Sequence, residues 1–164
     1  MKPFLSVLAG LLLAGSAAAA DLEAPSLEHF VGTWEGASAD GRFREKTTYT
    51  WGPDRRYLDI DMAFFVNDQP TGTARGYFLI DEAGGGLVFH MLSSLGVAIE
   101  QRQIAGADDS IELGATAVNG ARANMPERFR TRIHRHDADH YWTELLVHDG
   151  NDWQVVMQNE FERR

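Results

Sequence analysis

The chain has 164 residues, no cysteine and a formal net charge of −9 at neutral pH. That length suits one domain with its own core, and without thiols neither a disulfide nor a lipid-modified cysteine can staple or anchor it. The acidic balance argues against nucleic acid and anionic membrane surfaces as partners, because both are held through basic groups.

Residues 1–20 carry a lone Lys2, an apolar stretch from Phe4 to Leu13 and a small-residue end at Ala18, Ala19 and Ala20. This is the pattern of a removable secretory signal peptide, with cleavage before Asp21. The apolar stretch is shorter than the ~20 residues a spanning helix needs. The expectation is a soluble secreted or periplasmic protein, without stable membrane insertion after cleavage and with a single domain over residues 21–164.

After a short linker, Ser26-Leu27-Glu28-His29-Phe30 is predicted to form one helical turn, with Ser26 placed to cap it. From there the period is 2. In residues 42–51, Phe43, Tyr49 and Trp51 share one parity and Arg44, Lys46, Thr48 and Thr50 the other, which is the pattern of a half-buried strand. Leu58, Ile60, Met62 and Phe64 alternate with Asp59, Asp61 and Ala63 in the same way, and Ala74, Phe78 and Ile80 with Arg75, Tyr77 and Leu79. Turn residues interrupt these runs at Gly52-Pro53-Asp54, Asn67-Asp68, Gly84-Gly85, Asp108-Asp109, Asn119-Gly120, Asp137-Ala138-Asp139 and Asp149-Gly150. Ten strands are predicted between Val31 and Glu162, with no long helical stripe. Short, evenly spaced strands of this kind predict an all-β, up-and-down antiparallel barrel, which closes on itself and leaves no free edge. The segment Ala121 to Met125, ended by Pro126, is expected to be a rim loop.

Phe30-Val31-Gly32-Thr33-Trp34-Glu35-Gly36 resembles the Gly-x-Trp first strand of the calycins, which include the lipocalins, fatty-acid-binding proteins and nitrobindin. The segment from His140 to Glu144 and from Trp153 to Arg163 resembles the final hairpin of DUF1579, a bacterial lipocalin-like family of unknown function. The resemblance implies that a strand-ending arginine packs over the first-strand tryptophan and closes the base of the barrel. Here that role falls to Trp34 and Arg163, with Arg164 as the neighbour that could replace it. A guanidinium over an indole is worth roughly 0.5–2 kcal/mol.

A ten-stranded barrel is wider than its own side chains always fill, and an interior with apolar walls suits a small hydrophobic molecule. By parity the candidate ligand-binding residues are Tyr49, Met62, Phe64, Phe78, His90 and Met91. His90 and Met91 are adjacent, so a regular strand can turn only one of them inward. The competing reading is a structural or interaction module whose barrel is simply filled.

A third reading is a haem- or metal-dependent protein or enzyme on the same barrel. His134 and His136 share a strand face near Asp137, Asp139 and His140, which makes His134, His136 and His140 weak metal candidates. The resemblance to nitrobindin implies a single axial histidine for haem, with His90 or His148 available. No motif around either selects it, and no cofactor is predicted. Arg128, Arg130 and Arg132 line one face, either to hold a carboxylate inside or to pair with carboxylates such as Asp59, Asp61 or Glu144 outside. Ser93 and Ser94 near His90 lack a nucleophile elbow, and Gly84-Gly85-Gly86 lies between strands, so no catalytic residue is assigned.

Overall fold

A computed structural model describes residues 26–81, 84–107, 109–120 and 128–164. The leader (1–20) and the expected rim loop at Ala121 to Pro126 lie outside the described residues. Ten strands run in sequence: β1 (Gly32–Ser38), β2 (Phe43–Trp51), β3 (Tyr57–Val66), β4 (Gln69–Ile80), β5 (Leu87–Ser93), β6 (Val97–Ala107), β7 (Ser110–Gly120), β8 (Phe129–Arg135), β9 (His140–His148) and β10 (Trp153–Arg163). Each pairs antiparallel with its neighbours in sequence, and β1 also pairs with β10, so the sheet closes into an up-and-down barrel. The all-β, up-and-down antiparallel barrel expected from strand rhythm is therefore the architecture of the chain.

The two ends of the barrel differ. At one end a 3-10 turn, Leu27–Phe30, lies beneath the strands and buries Leu27 and Phe30. Ser26 occupies the N-cap position but makes no side-chain capping bond, which corrects the expected capping role. Burial of Leu27 and Phe30 takes the place of a cap in holding so short a turn.

Above the turn, the inward side chains Trp34, Tyr49, Leu58, Phe78, Leu87, Ile111, Ile133, Tyr141 and Phe161 form a buried core. The aromatic rings among them interlock. Tyr141 stacks on Phe161 with centroids 4.5 Å apart and meets Trp34 edge-on at 4.7 Å. The opposite end carries the turns that link β1 to β2, β3 to β4, β5 to β6 and β9 to β10.

The first strand shows why its motif has glycines. Gly32 sits at φ +124°, a conformation that L side chains rarely adopt, and a Cβ there would lie 3.0 Å from Arg163 Nη1. Gly36 lies under the ring of Phe161, where a Cβ would approach the ring to 2.4 Å. The glycines thus admit the arginine and the phenylalanine that β10 brings across the seam.

Candidate functional site

Trp34 is fully buried, and its indole Nε1 donates to Phe30 O at 2.7 Å, tying β1 to the turn below. Arg163 stands opposite Trp34 in register, its guanidinium 4.2 Å from the ring centroid. The same guanidinium donates to the carbonyls of Val31 (2.5 Å), His29 (2.7 Å) and Ala138 (2.9 Å). Three carbonyls that no ladder satisfies are thus bound by one planar fork, a geometry lysine could not supply. Arg164 points elsewhere, pairing with exposed Glu35 at 3.1 Å. His29 is held neutral, its pKa lowered by burial first and then by the charges of Arg135 and Arg163.

The six ligand-binding candidates separate into three groups. Tyr49 and Phe78 belong to the packed floor: they stack at 6.4 Å, and the Tyr49 hydroxyl lies 3.2 Å from that of Tyr141. Met62, Phe64 and Met91 share the inward parity of the floor residues but lie closer to the end opposite the 3-10 turn, where they are only half-buried. His90 falls on the other face. It stacks on Tyr77 at 4.8 Å and faces Glu100 at 3.8 Å, beside a shallow outer groove of about 500 Å³. Phe89 and Met91 take the inward positions of β5, so strand alternation excludes His90 from the interior set.

Of the other candidate histidines, His134 stacks on Trp142 at 4.7 Å and His136 meets the same ring at 6.3 Å, while His140 bonds Asp137 at 2.9 Å and His148 lies edge-on to Trp153 at 5.1 Å. Among the described residues no three His, Asp or Glu side chains are grouped to hold a metal ion.

The arginine face of β8 points outward, because Phe129 and Ile133 on the alternate positions are buried. Arg130 pairs with Glu112 at 2.8 Å, and Arg132 pairs with Glu112 and Glu144, both at 3.1 Å. The expected cross-strand partner Glu144 is present. Asp61 instead pairs with Arg75 at 2.7 Å. Arg130 also covers the ring of Trp153 at 4.0 Å.

Polar side chains that parity analysis left unweighed form a belt halfway up the interior. Thr47, Gln101 and Asn159 are buried. Gln101 Nε2 donates to Thr131 Oγ1 at 3.0 Å. Glu45 shares the inward face of β2 with Thr47 and Tyr49 and accepts a short hydrogen bond from the Thr47 hydroxyl. Burial pushes the Glu45 carboxyl up to about 7 against the opposing effect of that hydrogen bond. Burial likewise raises the Tyr49 and Tyr141 hydroxyls far above their ordinary value, so both stay protonated. The signal for Glu45 was present in the chain: it falls on the same parity as Phe43, Tyr49 and Trp51, where an acid is out of place.

With this geometry in view, the chain can be set beside known proteins. No protein-family model and no curated protein matches it. Among solved structures it resembles Rv2717c from M. tuberculosis, with a TM-score of 0.63 at 15% identity over 84% of this chain and 94% of that one. A de novo designed fluorescence-activating β-barrel aligns over 83% of this chain and 94% of the design, with a TM-score of 0.41 and 20% identity. At such identity the likeness to the mycobacterial protein is one of fold: a closed antiparallel barrel. Among the described residues no helix is long and apolar enough to cross a membrane.

Proposed function

We propose that this chain is a secreted or periplasmic lipocalin-like protein of the DUF1579 kind that binds or carries a small hydrophobic molecule inside its barrel. One observation carries the reading. In the half of the barrel away from the turn, inward-facing Met62, Phe64, Met91, Ile99 and Leu145 remain partly accessible, whereas the equivalent positions near the turn are sealed. Ten strands enclose more width than eight, and the inward positions Ala74 and Ser93 on β4 and β5 add little bulk to fill it. An interior face of methionines and a phenylalanine adapts to apolar shapes.

The signal-peptide pattern supports secretion, and the negative charge fits a soluble carrier rather than a nucleic-acid binder. The reading assigns no cofactor and no catalytic residue. Native mass spectrometry of gently purified protein, with uptake of the neutral probe N-phenyl-1-naphthylamine as a second readout, tests it. A co-purified apolar adduct or saturable probe fluorescence is expected. Repeated absence of both would favour a filled barrel, and a Soret band or stoichiometric metal would favour a cofactor protein.

A further inference from the structure

The interior belt holds a buried acceptor without a donor. Asn159 is 2% exposed, and its Oδ1 has no hydrogen-bond partner. A buried carbonyl left without a donor costs about 1–3 kcal/mol, so its retention calls for an explanation. Asn159 follows the inward parity of Phe161, whose ring covers side-chain-free Gly36; on the far side of Gly36 stands Glu45. Glu45 and Asn159 therefore flank one stretch of the interior wall, two strands apart, above the floor made by Phe161 and Tyr141. Among the described residues the Glu45 carboxyl accepts a single hydrogen bond, from Thr47, which leaves acceptor capacity free. Among the described residues, Arg135 and Arg163 continue the inward rows of β8 and β10 only at the base, where Arg163 is bound to carbonyls; at the level of the belt Arg44 and Lys46 flank Glu45 on the outer face, and Arg130 and Arg132 are bound to outer carboxylates.

We infer that the interior selects an amphipathic ligand whose polar end donates hydrogen bonds, an alkylammonium in particular, with Glu45 and Asn159 Oδ1 as its acceptors. This rests on the interior-binding function proposed above and names the chemistry of the occupant. A fatty acid would set its carboxylate against the Glu45 carboxyl with no cation at that level to offset it. An ammonium supplies up to three donors and a charge that makes the bond to Glu45 stronger than a neutral one.

Binding has a proton consequence. The groups facing Glu45 that can titrate are Tyr49 and Tyr141, and both remain protonated. Glu45 carries a proton on part of the molecules near pH 7, and an ammonium beside it would drive that proton off. Amine affinity should therefore rise as the pH climbs through about 7.

The test is displacement of N-phenyl-1-naphthylamine by dodecylamine, dodecanol and laurate at about 0.15 M salt, where non-specific attraction to the acidic surface is screened. Dodecylamine should compete at least about tenfold better than laurate, and Glu45→Gln and Asn159→Leu should each remove most of that preference while the naphthylamine still binds. Glu45→Gln relieves a buried acid, so loss of the fold is not its expected outcome, and Asn159→Leu removes the orphan acceptor at similar volume. Laurate competing as well as the amine, or a preference unchanged in both variants, overturns the inference while leaving interior binding intact. Failure of the wild-type protein to bind naphthylamine at all overturns both.

Discussion

Arg163 and Arg164 are adjacent and chemically identical, yet only the first lies over Trp34 and holds carbonyls from the turn and from the link between β8 and β9. Arg163→Ala should cost about 2–3 kcal/mol by removing the cation–π contact and leaving those carbonyls short of a donor. Arg164→Ala, which breaks exposed ion pairs with Glu35 and Glu162, should stay within about 0.5 kcal/mol. Trp34→Ala should cost about 3 kcal/mol or more through the cavity it leaves. Urea unfolding of the three variants measures all of this, and equal effects at 163 and 164 would break the closure argument.

Glu45 makes a pH-dependent contribution of known sign. Its folded pKa of about 7 lies above the ordinary 4.5, so the fold disfavours the ionised form. That penalty is absent below the ordinary value, grows as the unfolded chain ionises between 4.5 and 7, and is complete above about 7. Glu45→Gln should accordingly stabilise the protein by about 1–3 kcal/mol at pH 8, and the gain should vanish near pH 4. A gain that grows towards acid pH would show that the carboxyl is paired rather than desolvated.

At the level of elements, β1 has no bulk of its own at Gly36 and borrows the ring of Phe161. Gly36→Val should destabilise by about 2 kcal/mol or more because ring and side chain claim the same space. Adding Phe161→Leu should recover part of that loss, a coupling a double-mutant cycle in urea would reveal and independent sites would not show.

Much of this was legible from alternation alone. Leu58, Ile60 and Phe78 on one parity, with Asp59, Asp61 and Tyr77 on the other, already separate core from surface. What alternation does not supply is phase along β5, where Leu87 to Leu92 is apolar except at His90; only the pairing of Phe89 with Phe78 turns Met91 inward. Nor does it reveal Asn159, because inward and outward positions from Trp153 to Asn159 mix apolar and polar types and the register slips between Val155 and Met157. The slip breaks the period on which such a reading depends.

Among the described residues the barrel is sealed and aromatic at one end and less tightly packed, with a polar belt, towards the other. Native-state hydrogen exchange should follow that gradient: the amides of β1, β9 and β10 near Trp34 and Tyr141 should exchange most slowly, and those beside the turns at Asn67 and Gly150 fastest. Uniform protection from end to end would contradict a barrel with one rigid base. The division fits the binding function proposed above, in which the stable half supports the fold. The closed architecture was readable from strand count and turn spacing, whereas the difference between the ends depends on which strand termini meet, and that is a property of the assembled sheet.

The seam between β1 and β10 also sets an order of events. A ribosome makes β1 first of the ten strands and β10 last, so every shorter nascent chain has two unpaired edges and a Trp34 without its arginine. Pairing across so long an intervening chain is slow compared with hairpin formation. Until it occurs the edges are open to other chains. Closure of the barrel is thus expected to wait for β10 and to be completed by a single pairing event, and a chaperone that shields strand edges should raise the yield of this protein more than one that shields exposed apolar helices.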